Sequence, residues 1–283
     1  RRRNWKTKGG GSNAVRLSLS ALTRLIPALV AALDIPFAWV ISGSTLDMGS
    51  KVLRSVQTSC LRLARVLFSC LSPSLRAVAL RFADVLTRGV RNHIETPADI
   101  VNASARIGEW LKTSRQCMIS FGLGVCDVFV NELLPCVLSC VEKDNEGEHT
   151  FNVDLAMFLR DTIAIASSKI SENHFRRIQN LLLHCVPKLL EEEERYEDDV
   201  LISMLSALEY CLTCPCGHER VESLLSSASR IFLDAKLRCS DRPDVVQEAI
   251  RGGMSCERVM HPRCPPLRLV VSKRSMEAGG AEW

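Results

Sequence analysis

The sequence predicts an all-α protein in which antiparallel helix pairs stack on one another. Three observations carry the prediction. Amphipathic helices follow one another through residues 75–236 with little between them. Aromatic residues make up only 5% of the chain while hydrophobic residues reach 47%, a balance that suits helix-on-helix packing better than a sandwich of Tyr-, Phe- and Thr-rich strands. Only residues 267–271 read locally as a strand. Each helix hides one apolar face, so each needs a neighbour to hide it against.

Residues 1–12 are basic and then glycine-rich, the composition of a flexible arm. Residues 14–41 are the most apolar part of the chain. Arg24, Asp34, Pro27 and Pro36 interrupt them, so an uninterrupted span of about 20 apolar residues is not reached and no membrane span is expected. A Pro-kinked core helix at the edge of the stack is the preferred reading. Gly43, Ser44 and Gly49 mark a loop. It fails as a phosphate-binding loop, because five residues separate Gly43 from Gly49, the order from Gly49 is Gly-Ser-Lys instead of Gly-Lys-Ser/Thr, and no strand leads in.

A long helix is expected over residues 46–71, ended by Ser72-Pro73. The next covers 74–94, with Leu75, Val78, Phe82, Val85 and Leu86 on one stripe. Thr96 and Pro97 suit an N-cap and first helical position, and that helix should run to about Lys112. Residues 115–141 should divide in two around Gly122, Gly124 and Pro135. The polar run 142–150 reads as a loop, 151–168 as a helix, and 171–190 as a helix capped by Ser171 and striped by Phe175, Ile178, Leu181, Leu182, Cys185 and Leu189. In 200–212, Leu201, Met204, Leu205, Leu208 and Leu212 fall at spacings of three and four. Residues 221–235 repeat the pattern with Val221, Leu224, Leu225, Ala228, Ile231, Phe232 and Ala235. From residue 237 the periodicity fades, and glycines and prolines accumulate. The domain organisation expected is a basic arm (1–12), a helical-repeat domain (13–240) and a poorly structured tail (241–283).

Helix pairs begin near residues 51, 98, 151 and 200, giving spacings of 47, 53 and 49. HEAT and armadillo units run about 40–47 residues. Over residues 46–236 the chain therefore resembles an armadillo/HEAT-type helical-repeat protein, through helix pairing and period. The resemblance implies a right-handed superhelical stack whose inner helices form an extended surface for another macromolecule. It also implies a scaffold or adaptor for another protein, not an enzyme. The chain opens on Arg1 and is read as a fragment of a larger helical-repeat protein.

Charge and cysteine usage bound the function further. Residues 1–33 hold seven basic residues and no acid, while the remainder has 29 Lys/Arg against 32 Asp/Glu. The basicity thus belongs to a leader. Nucleic acid is a candidate partner only through that arm. The 13 cysteines are odd in number and mostly lie inside helical stripes, as small apolar residues do. That usage points to a reducing compartment, cytoplasm or nucleus.

Two stretches are candidate sites. The run 191–199 holds seven acids, Glu191, Glu192, Glu193, Glu194, Glu197, Asp198 and Asp199. It reads either as a docking element for a basic partner or as a solvated connector whose carboxylates favour the N-terminus of the helix that follows. The cluster Cys211-x-x-Cys214-Pro-Cys216-Gly-His218 contains a zinc half-site spacing. The plainer reading is a turn between two helices whose thiols pack inward. An alternative function follows from it: a zinc-stabilised or nucleic-acid-associated module using Cys211, Cys214, Cys216, His218 and the basic arm. No catalytic motif or cofactor turn is present, so no cofactor and no catalytic residues are expected.

Overall fold

The computed structural model describes residues 19–35, 46–71, 75–95, 100–144, 153–191, 197–213 and 218–260. Among them there is no strand. Ten helical runs are packed together: α1 (Leu19–Leu33), α2 (Leu46–Cys70), α3 (Arg76–Glu95), α4 (Ile100–Phe121), α5, α6 (Val153–Ala166), α7 (Glu172–Glu191), α8 (Asp198–Thr213), α9 (His218–Arg238) and α10 (Pro243–Met260). Helix α5 is a continuous run of Leu123–Val128, a π-turn over Phe129–Leu133, and Leu134–Asp144. The Leu134 amide reaches back to the Phe129 carbonyl. The widened turn thus lies immediately before Pro135, which has no amide of its own to donate.

The helices pack in two rows. The even-numbered helices touch in sequence, α2 on α4, α4 on α6, α6 on α8 and α8 on α10. The odd-numbered ones do the same from α1 to α9, and each odd helix also packs on the even helix that follows it. Neighbours within the even row run parallel. Arg65 and Ser69 of α2 meet Glu109 and Gln116 of α4 in ascending order, and Asp198 and Glu209 of α8 likewise meet Arg242, just before α10, and Arg251 within it. Helices α3 and α4 run antiparallel, since Gly89 faces Trp110 while the Ala79 carbonyl faces Cys117.

One core fills the space between the rows. Phe68, Phe82, Phe129, Phe158, Phe175 and Phe232 are its largest fully buried side chains. Phe68 makes edge-on contacts with Phe82 and Phe121, centroids 5.0 and 5.8 Å apart, which is the preferred geometry for aromatic pairs. Helices α6 and α8 sit mid-row and are covered on several sides, so their burial exceeds one stripe. In α8 it extends to Ser203, Ser206 and Glu209.

Several sequence expectations shift. Helix α4 does not end near Lys112 but continues to Phe121. Thr113 explains part of this: its hydroxyl donates to the Glu109 carbonyl at 2.8 Å, so a residue that favours breaks is accommodated within the helix. The break falls at Gly122, whose φ of 57° is the left-handed conformation that favours glycine. Ser171 acts as expected, its hydroxyl accepting the His174 amide at 3.3 Å. Thr96 and Pro97 lie outside the described residues. Residues 243–260, within the stretch expected to be poorly structured, form α10. Pro243 occupies its first position, and Val245, Ala249, Gly252 and Cys256 make a buried stripe. The stretch Leu123–Glu142 is long and apolar enough to cross a membrane, and half of it is buried among the other helices.

Candidate functional site

The polar side chains that the fold brings together lie mainly along the even row, in two clusters. The first joins α2, α4 and α6. Arg65 Nη2 donates to Glu109 Oε2 at 2.8 Å, and its Nη1 donates to Thr113 Oγ1 at 3.1 Å. Lys112 Nζ lies 3.7 Å from Glu109 Oε1 and 3.3 Å from Asp154 Oδ2. Arg115 Nε and Arg160 Nε each donate to a different oxygen of Asp161 at 2.8 Å. Along α4 the members Glu109, Lys112 and Thr113 fall at helical spacings on one edge, which thus meets α2 on one side and α6 on the other.

Two carboxyls in this cluster are displaced in opposite directions. Burial raises Glu109, but the Arg65 guanidinium, with Lys112 and Arg62, more than offsets it and holds the carboxyl below its ordinary value. Burial also raises Asp154, and there the attraction of Lys112 and Arg115 is the weaker effect, so that carboxyl stays above its ordinary value.

The second cluster joins α8 and α10. The Arg251 guanidinium donates to Glu209 and Glu248. Ser206 donates to Glu248, and Ser255 Oγ donates to Glu209 Oε1 at 2.8 Å. Burial works to lower the Arg251 pKa, yet Glu209 and Glu248 together hold it above the ordinary arginine value. Beside this cluster lies a cavity of about 440 Å³ lined by Ile202 of α8 and by Asp244, Gln247, Glu248, Arg251 and Met254 of α10. The arrangement offers apolar walls from Ile202 and Met254 with charged groups at fixed positions beside them.

The residues singled out from the sequence are placed as follows. Glu191 ends α7, Glu197 immediately precedes α8, and Asp198 and Asp199 begin it; all four are exposed. Glu192, Glu193 and Glu194 lie outside the described residues. Asp198 is engaged by Arg242, the residue just before α10, so one carboxylate of the run ties the start of α8 to the entry of α10. Asp198 and Asp199 occupy the first turn of α8, where carboxylates meet the positive end of the helix dipole. Cys211 is fully buried in α8. Cys214 and Cys216 lie outside the described residues, and His218 opens α9. Among the described residues no group of three or more His, Cys, Asp or Glu side chains is placed to hold a metal ion.

The two clusters themselves escaped sequence reading. Their partners stand about one helix pair apart in the chain, and nothing local marks them as pairs. Compared with known protein families, curated proteins and solved structures, the chain matches none.

Proposed function

We propose that the chain is a non-catalytic protein-interaction scaffold, a right-handed solenoid of antiparallel helix pairs that binds another protein along its even row. The observation that carries the reading is the register of that row. Ion pairs and hydrogen bonds along the even row join residues 44 apart (Arg65–Glu109), 46 apart (Arg115–Asp161), 44 apart (Asp198 to Arg242, just before α10) and 42 apart (Glu209–Arg251). A near-constant offset between parallel neighbours is what stacked helix-pair units produce. The row presents exposed charge beside the α8/α10 cavity, which accepts an anchoring side chain of the partner. The exposed acids Glu191, Glu197 and Asp199 steer a basic segment of that partner towards it. Buried thiols at Cys117, Cys126 and Cys256 support residence in the reducing cytoplasm or nucleus.

The test is site-specific photo-cross-linking in cells. A photoreactive residue at Lys112 or Gln247, on the even row, is compared with one at Arg176, an exposed residue of the odd row. A small reproducible partner set captured only from the even row, and weakened by charge reversal at Glu197 and Asp199, supports the scaffold. Equal capture from both rows, or chaperones alone, overturns it.

A further inference from the structure

Two carboxylates share one cation beside the cavity between α8 and α10. Glu209 and Glu248 are 6 and 8% exposed, and the Arg251 guanidinium donates to both. Ser206 and Ser255 add hydroxyls and no charge. The group therefore keeps a surplus negative charge where water has little access, and an unanswered charge there is costly. Both hydrogen bonds that Glu248 accepts among the described residues go to its Oε1. Its Oε2 is left to take a donor, and Glu248 lines the cavity. Asp244, exposed in the first turn of α10, lines it too and has no ion-pair partner among the described residues. Ile202, Ile250 and Met254 supply the apolar lining, and Ile250 is 39% exposed.

We propose that this cavity anchors a lysine side chain of the protein that binds the even row. The inference rests on the scaffold reading and names the chemistry of the partner's anchor. The aliphatic stem of the lysine lies along Ile202, Ile250 and Met254, as such stems do on apolar surface. Its ammonium sits between Asp244 and Glu248, which stand one turn apart on α10, so that a single cation reaches both. Charge selects the occupant. Asp244, Glu209, Glu248 and Arg251 together are three acids and one base. An anion would meet a guanidinium already committed to two carboxylates, and a neutral side chain would leave the surplus charge unanswered. The surroundings have the same sign. Glu197, Asp198, Asp199 and Asp241 stand where α8 and α10 begin side by side, against Arg242 alone, which Asp198 engages. Arg258 is ten residues beyond Glu248, about 15 Å along the helix, outside the roughly 8 Å over which exposed charges act in physiological salt. Lysine fits better than arginine. Glu248 has one oxygen left, whereas a guanidinium fork wants both oxygens of a carboxylate, and an ammonium can direct its three donors to single oxygens on separate residues.

The experiment is methyl NMR of the full chain, titrated with N-acetyl-lysine methylamide and with its norleucine and glutamate counterparts. Norleucine keeps the lysine stem and lacks the charge. The lysine probe is expected to shift the methyls of Ile202, Ile250 and Met254 saturably, to bind at least about fivefold more tightly than the norleucine probe, and to weaken with salt. Asp244→Asn, a change at an exposed position whose fold thermal melts check, should remove most of that preference, and Asp244→Glu should retain it. Equal binding of the lysine and norleucine probes, preference for the glutamate probe, or methyls that no probe moves overturns the proposal. Photo-cross-linking at Gln247 separates it from the scaffold reading. Partners captured there equally by the native chain and by Asp244→Asn overturn the lysine anchor and leave the scaffold standing. A lysine probe that binds while no partner is captured overturns both the scaffold and the partner's lysine, leaving a site for a free amine.

Discussion

Gly252 of α10 lies so close to Phe232 of α9 that a β-carbon at residue 252 would come within 2.1 Å of the ring, while one at the adjacent Gly253 would meet nothing within 4 Å. Gly89 of α3 repeats the relationship with Trp110 of α4, again at 2.1 Å. Two helix pairs at opposite ends of the chain thus use glycine to let an aromatic ring lie against a helix backbone. Phe232 is fully buried, so its ring has little room to move aside.

The adjacent glycines therefore predict opposite outcomes. Gly252→Ala should lower stability by about 2 kcal/mol, because overpacking outweighs the gain in helix propensity. Gly253→Ala should raise it by about 0.5–1 kcal/mol, since a β-carbon there meets open space and the unfolded chain loses freedom. Urea melts of the two variants check this. Equal effects would mean that α10 is not seated on α9.

Lys112 lies between two carboxylates whose contributions to stability depend on pH with opposite signs. Glu109 has a folded pKa below the ordinary 4.5. Its stabilisation is fully present above that ordinary value and is lost as pH falls through the folded one. Glu109→Gln should cost about 1 kcal/mol at neutral pH, with the gap closing in acid. Asp154 has a folded pKa above the ordinary 3.8. Its favourable contribution is full below 3.8 and is lost as pH rises through the folded value. Asp154→Asn should therefore improve relative to the native chain as pH rises from acid to neutral, by up to about 1 kcal/mol. Denaturant melts from acid to neutral pH measure both gaps, and two gaps moving in the same direction would refute the assignment.

Ser203 of α8 is buried, and its hydroxyl has no hydrogen-bonding partner. Burying such a group costs about 1–3 kcal/mol. Ser203→Ala removes that cost and favours the helix, so it should stabilise the protein by about 1 kcal/mol. A loss of stability in thermal melts would show that the hydroxyl is satisfied after all.

Helices were legible where burial follows one stripe. In α7 the apolar spacing and the Ser171 cap are both local, and both appear at those residues. The extent of α4 was not legible. Thr113 and Ser114 look like a break in isolation, while in the fold Thr113 bonds back to Glu109 and accepts Arg65 from 48 residues away. Helix α10 was hidden for a related reason. Gly252 weakens a helix by propensity alone, and its value lies in the close approach of Phe232, which belongs to another helix. The Glu209–Arg251–Glu248 cluster draws on α8 and α10, so no local pattern announces it. Of the acidic run, the exposed N-terminal turn of α8 was readable from its carboxylates, but the commitment of Asp198 to Arg242 was not.

Thiol reactivity gives a final test, because it reads packing at both ends of the even row. Cys70 ends α2 and is exposed, whereas Cys117, Cys126 and Cys256 are buried. Burial pushes the thiols of Cys126 and Cys256 up to about 11 and that of Cys117 higher still. Only the thiolate attacks an alkylating reagent. Near pH 8, a thiol with a pKa near 11 is ionised about one part in a thousand, and burial blocks access to that small fraction. Iodoacetamide should therefore label Cys70 well before Cys117, Cys126 and Cys256, which stay unmodified until the chain unfolds, as read by peptide mass spectrometry over time. The most informative of these is Cys256, which lies in α10, within the stretch whose sequence pattern fades. If it labelled as fast as Cys70, α10 would be open to solvent, and the cavity it forms with α8 would lose its wall.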